Sequence, residues 1–137
     1  MDIQMVDLRG QYRALKEEID AAIAEVLDTA RFIRGPVVGD LECALAAYLE
    51  GSYVLGVGNG TDALQVAFMA LGIGPGDEVI TPSFTFIATA EAAALLGATP
   101  VFVDIDPKTF NLDPDRIEEL ITPRTKAIVP VHLFGQL

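Results

Sequence analysis

The chain has 137 residues, 51% of them apolar, and its 20 acidic and 9 basic side chains give a formal net charge of −11. That apolar share excludes a disordered chain, which would lack the surface to offset its ordering entropy, and the length suits one domain with a real core. The acidic balance argues against nucleic acid and against an anionic membrane surface as partners, because phosphate binding needs a basic face.

Tyr12, Leu15, Ile19, Ile23, Val26 and Leu27 recur at steps of three and four, with Lys16, Glu17, Glu18 and Asp20 between them. This spacing predicts an amphipathic helix of about five turns, with Gly35-Pro36 as its stop. A second helix carries Leu41, Leu45, Tyr48 and Leu49 and ends at Gly51. Cys43, the single cysteine, lies between Leu41 and Leu45; it cannot make an internal disulfide and reads as a small buried hydrophobe. Residues 1–52 are therefore expected to form a helical lead-in rather than a separate domain.

The pattern changes at Tyr53, where Tyr53-Val54-Leu55-Gly56-Val57 is an apolar run of strand length followed by Gly58-Asn59-Gly60-Thr61. A helix over Ala63–Leu71 stops at Gly72. A strand from Glu78 to Ile80 enters Thr81-Pro82-Ser83, and an Ala-rich helix covers about Phe86 to Leu96, ending at Gly97. Val101-Phe102-Val103 is the next strand, and Asp104-Ile105-Asp106-Pro107 turns away from it. Asp113-Pro114 then reads as a helix start, with Asp as N-cap and Pro at the first helical position. Ala127-Ile128-Val129 with Val131 makes a last strand running to the end. Strands that are apolar throughout, alternating with helices over 53–137, indicate an α/β fold: a mainly parallel sheet with helices on both faces.

No run approaches the roughly 18 apolar residues of a membrane span, and no N-terminal segment has the layout of a signal peptide. The expectation is a soluble, cytoplasmic protein. A buried parallel strand needs neighbours and a crossover helix, and an unpaired edge invites aggregation. With its last strand followed directly by Gln136-Leu137, the chain is expected to be a piece of something longer.

The strongest local signal for chemistry is a strand, then Gly58-Asn59-Gly60-Thr61, then a helix. A helix N-terminus has unpaired N–H groups and about half a positive charge, so a phosphate would fit there without a basic side chain. The same residues equally suit a plain turn in which Asn59 or Thr61 caps the helix. A Walker loop is rejected, because Lys16, Lys108 and Lys126 all lie far from the turn in sequence. A dinucleotide fingerprint would need glycine at position 61, which is Thr, although Glu78 stands roughly where a ribose-binding acid would be.

Thr81 to Thr89 follows the carboxyl end of a parallel strand, the edge where open α/β sheets place their ligands. Phe84 and Phe86 there could offer a flat face to a ring, although core packing explains most such phenylalanines. Asp104 and Asp106 before Pro107 read as a solvated turn rather than a metal pair, and His132 as structural. No metal site is expected, and no nucleophile-elbow, Cys/His or zinc spacing is present.

Taken together, these segments resemble the nucleotide-sugar aminotransferases of the DegT/StrS type, pyridoxal-phosphate enzymes of the fold-type I aminotransferase fold. The resemblance is carried by Val6-Asp7-Leu8, Gln11-Tyr12, Phe32-Ile33-Arg34-Gly35-Pro36, Gly58-Asn59-Gly60-Thr61-Asp62-Ala63-Leu64 and Gly74-Pro75-Gly76-Asp77-Glu78. It continues through Phe84-Thr85-Phe86-Ile87-Ala88-Thr89-Ala90, Val103-Asp104-Ile105-Asp106, Thr122-Pro123-Arg124-Thr125-Lys126 and His132-Leu133-Phe134-Gly135-Gln136.

The resemblance implies a three-layer α/β/α large domain, only its first part within 53–137. It implies that Gly60 and Thr61 hold the cofactor phosphate and that Phe86 lies against the pyridine ring. It also implies a nucleotide-sugar substrate, glutamate as amino donor and a homodimer. The family's catalytic lysine, and the aspartate on the pyridine nitrogen, are matched by no residue of this chain. The chain alone is therefore expected to be inactive, with no catalytic residue of its own. Two alternatives stay open: a deoxysugar dehydratase of the same family, and a non-catalytic small-ligand-binding module.

Overall fold

A computed structural model of the protein describes residues 6–51 and 53–137 and divides the chain into two units, Met1–Gly56 and Val57–Leu137. Residues 1–5 and Ser52, the ends of the expected lead-in, lie outside the described residues.

The first unit is a helix pair, α1 (Leu8–Thr29) and α2 (Pro36–Tyr48). Asp7 caps α1 by accepting from the Gly10 amide at 2.8 Å. A Cβ at Gly10 would lie 2.3 Å from the same carboxylate, so a larger residue there would have to displace the Asp7 side chain. On the solvent side, Lys16 donates to Asp20 and to Tyr12 Oη, and Tyr12 Oη donates to Asp20 at 2.8 Å. The hydrogen bond with Asp20 raises the Lys16 pKa, and the bonds from Lys16 and Tyr12 lower that of Asp20.

The expected stop of α1 needs correction. The helix ends at Thr29, with Ala30 in the left-handed region at φ 50°. Gly35-Pro36 instead opens α2, where proline at the first position has no N–H to leave unpaired. The α2 terminus folds back through Glu50 N–H to Ala47 O and Gly51 N–H to Ala46 O, with Glu50 at φ 51°. No residue of either helix is buried. Cys43 is exposed too, because the apolar face it belongs to has no covering layer among the described residues.

The second unit contains α3 (Gly60–Ala70), β1 (Glu78–Pro82), α4 (Ala88–Leu95), β2 (Thr99–Val103) and β3 (Thr125–Ile128). The strands form one parallel sheet in the order β2-β1-β3. Every residue of the central strand β1 is buried, so both of its faces are covered. Phe68, Ile73, Val79, Ala92, Ala93 and Ala98 make the core, and the fully buried Ala92 and Ala93 let α4 approach the sheet closely. At the start of β1 the buried Glu78 accepts from Thr122 Oγ1 at 2.5 Å and pairs with Arg124. At its end, Thr81 Oγ1 donates to Val129 O at 3.2 Å.

Four expectations differ from residue 53 onward. Tyr53–Val57 forms no strand, because no described strand runs beside it to complete a ladder. Asp113 does cap a helical turn, accepting from the Asp115 amide, but the segment folds as two 3₁₀ turns, Pro114–Arg116 and Glu118–Leu120. So short a stretch nucleates an α-helix poorly, and Pro123 bars the α region to Thr122. The last strand ends at Ile128, since Pro130 has no N–H to continue a ladder. The Ala-rich helix begins at Ala88, which leaves Phe86 in the loop ahead of it.

Candidate functional site

The loop before α3 is built by its own sequence. Asn59 is the N-cap: its Oδ1 accepts from the Asp62 amide at 2.9 Å, and its Nδ2 donates to Asp62 Oδ2 at 3.1 Å. A Cβ on Gly58 would sit 2.6 Å from that carboxylate, so glycine is needed for the Asp62 side chain to fold back. Of the two capping candidates, Asn59 is therefore the one that acts. The Gly60 and Thr61 amides make no hydrogen bond among the described residues, and a Cβ at Gly60 would meet nothing within 4 Å. Free amides facing open space at a helix N-terminus suit an anion of phosphate size, while Asp62 adds one opposing charge beside it.

The C-terminal ends of α3 and α4 meet. Both helices close with a glycine at positive φ, Gly72 at 69° and Gly97 at 82°. Each makes the paired back-bonds of a Schellman turn, Ile73 N–H to Phe68 O and Ala98 N–H to Ala93 O among them. A Cβ on Gly97 would lie 2.9 Å from Pro75 Cγ, which puts the two helix ends side by side. Because α4 connects the parallel strands β1 and β2, its N-terminus and the Phe86 loop ahead of it lie at the carboxyl edge of the sheet.

Phe86 is 74% exposed, whereas Phe84 stacks against Phe110 with centroids 5.6 Å apart. Phe84, itself half-exposed, is thus tethered to another ring, whereas Phe86 makes no ring pair among the described residues. A cavity of about 240 Å³ lies beside Phe84, lined also by Ser83, Thr85 and Leu133.

The other candidates lie elsewhere or are occupied. Glu78 sits at the amino end of β1, bonded to Thr122 and Arg124, which removes it from any ribose-binding position. Asp106 accepts from the Lys108 and Thr109 amides, and Asp104 pairs with Arg116 at 3.5 Å, as befits a solvated turn. Lys16 is engaged on α1, Lys126 lies on β3, and His132 is exposed in the segment after it. Phe110, the ring that pairs with both Phe84 and Phe134, has no signal in the sequence that singles it out. Phe110 has φ 61°, a conformation that composition does not signal in a phenylalanine.

A parallel α/β sheet with an unpartnered helix N-terminus and an exposed aromatic ring after a strand's carboxyl end is the class of domain that commonly holds phosphate-bearing ligands. The DegT/DnrJ/EryC1/StrS aminotransferase family matches residues 13–137, and the chain belongs to that family. It is 58% identical over 134 residues to the UDP-2-acetamido-2-deoxy-3-oxo-D-glucuronate aminotransferase of Pseudomonas aeruginosa, covering 98% of this chain and 37% of that protein. The crystal structure of S. venezuelae DesV superposes with a TM-score of 0.94 at 49% identity, over 98% of this chain and 36% of DesV. NtdA of Bacillus subtilis, solved with bound cofactor PMP, matches with a TM-score of 0.88 at 43% identity, over 100% of this chain and 32% of NtdA. The family's cofactor is pyridoxal phosphate. The chain spans about a third of the length of these relatives and includes no helix long and apolar enough to cross a membrane among the described residues.

Proposed function

We propose that this chain is the N-terminal part of a pyridoxal-phosphate aminotransferase that aminates a keto sugar linked to a nucleotide, with glutamate as donor. The family match carries the reading, and two features of the chain support it: the Gly60 and Thr61 amides without a partner among the described residues, and the exposed ring of Phe86. The two amides would take the cofactor phosphate, with the Thr61 hydroxyl as an extra donor, and the Phe86 face would lie against the pyridine ring. When bound, pyridoxal phosphate supplies an electron sink that lets a proton move at the carbon bearing the amino group.

Within this chain the three lysines are on α1, in the Asp104–Leu112 turn and on β3, so the chain holds the cradle without the family's lysine. A cytoplasmic homodimer belongs to the same reading, as the family resemblance implies. The direct experiment is to reconstitute the full-length protein with pyridoxal phosphate and offer it glutamate and nucleotide-linked keto sugars. Cofactor uptake with amino transfer supports the reading, and failure to take up the cofactor sinks it. Phe86→Ala in that protein should weaken cofactor retention by about 1–3 kcal/mol, by analogy with base–aromatic stacking. Turnover by the 137-residue chain alone would contradict its lack of a catalytic lysine.

A further inference from the structure

Each strand leaves the carboxyl edge of the sheet through its own loop, and each loop carries a phenylalanine. Phe84 follows β1, Phe110 follows β2 and Phe134 follows β3. The Phe110 ring lies between the other two, 5.6 Å from Phe84 at a tilt of 33° and 5.5 Å from Phe134 edge-on at 86°. Both arrangements are favourable for aromatic pairs.

Reaching that position strains the backbone, since Phe110 has φ 61°, a left-handed conformation that a bulky residue rarely adopts. Strain of this kind persists only where the surroundings over-determine it. Here the Phe110 amide donates to Asp106 O at 2.8 Å, and the Asp106 amide donates to Asn111 O at 2.9 Å. The Asp106 carboxylate also accepts from the Lys108 and Thr109 amides. Asn111 Nδ2 then ties the loop to the segment after β3, donating to Gln136 O at 3.1 Å. The outcome of all these bonds is the placement of one ring, which joins the three exit loops to one another. Phe86 stands two residues beyond the gripped Phe84 and makes no ring pair among the described residues.

We propose that Phe110 is a positioning residue: by gripping Phe84 it sets the course of residues 83–87, so that the Phe86 ring is presented to the pyridine ring in one orientation. This rests on the pyridoxal-phosphate reading above. The test uses the full-length holoenzyme with Phe110→Leu, Phe110→Tyr, Phe86→Ala and the double variant Phe86→Ala with Phe110→Leu. The readouts are the rate of pyridoxal-phosphate release, the visible circular dichroism of the bound cofactor, and the melting temperature of the cofactor-free protein.

Phe110→Leu keeps apolar bulk but loses the ring, and should speed release about two- to tenfold, the range an aromatic pair spans, while reducing the cofactor's dichroic band. Phe110→Tyr should restore both. The double variant should release no faster than Phe86→Ala alone, because Phe110 acts through Phe86. Wild-type release in Phe110→Leu overturns the proposal, even if its melting temperature falls. Fully additive effects in the double variant overturn it as well. A wild-type protein that takes up no pyridoxal phosphate overturns the functional reading and this proposal with it, whereas uptake with unaltered Phe110→Leu release overturns this proposal alone.

Discussion

The helix pair and the sheet unit use the same kinds of sequence signal and reach opposite degrees of burial. In α1 and α2 the apolar residues repeat at helical spacing, yet none is buried. One groove among them is lined by Ala22, Ile23, Val26, Leu27, Phe32 and Val37. In the sheet unit Val79 and Ile80 are wholly enclosed. Periodicity specifies which face of an element is apolar; burial depends on whether a second layer meets that face. The helix ends differ in the same direction. In the sheet unit α3 and α4 close on Gly72 and Gly97, while α1 and α2 turn at Ala30 and Glu50, which adopt positive φ without glycine's freedom.

The sharpest way to break this comparison is a matched pair of isoleucines. Ile80→Ala should cost about 2–5 kcal/mol in chemical denaturation, as expected for a large-to-small change at a closed core site. Ile23→Ala should cost under about 1 kcal/mol, because that side chain is 55% exposed. Equal losses would mean that the apolar face of α1 is as well covered as the core.

The helix ends provide a smaller effect with opposite signs in the two units. Gly97→Ala forces an L-residue to φ 82° and puts a Cβ 2.9 Å from Pro75, so a loss of about 1–3 kcal/mol is expected. Glu50→Gly should stabilise by about 0.5–1 kcal/mol, since glycine reaches that φ freely. Thermal melts of the two variants moving in the same direction would contradict the assignment of the caps.

The smallest effect is electrostatic and lies on the surface of α1. Asp20 has a lowered pKa in the fold, so its contribution is present above the unfolded carboxylate value and fades as pH falls through the folded one. Lys16 is raised, so its contribution is complete below the ordinary lysine value of 10.5 and is lost only as pH rises through the folded value. Carboxyl NMR should place the Asp20 midpoint below 3.8, and Lys16→Ala should return it towards that value. A midpoint at the ordinary value in the unaltered protein would remove the ion pair from the account.

The legible parts of this protein are those governed by neighbours in sequence. The β1–α4–β2 succession, the glycine stops at Gly72 and Gly97, the Asp113 cap and the turn at Asp106 follow from periodicity and from side chains bonding to backbone two or three residues away. Reading Gly35-Pro36 as a stop failed because the same pair serves equally well as a helix entrance, and only the path of the chain distinguishes the two. The Tyr53–Val57 strand failed because a strand is a pairing, which its own composition cannot supply.

At the candidate site, the sequence by itself determined a capped turn at 58–61 and the residue types of Gly60, Thr61 and Phe86, while the structure chose Asn59 over Thr61 as the cap. Only the tertiary structure decided that Phe84 would pair with Phe110 while Phe86 stayed without a ring partner among the described residues. The reason is range. Caps and turns are closed by hydrogen bonds across a few residues, whereas the Phe84–Phe110–Phe134 contacts and the bond from Thr122 to Glu78 join segments that meet only once the sheet has formed.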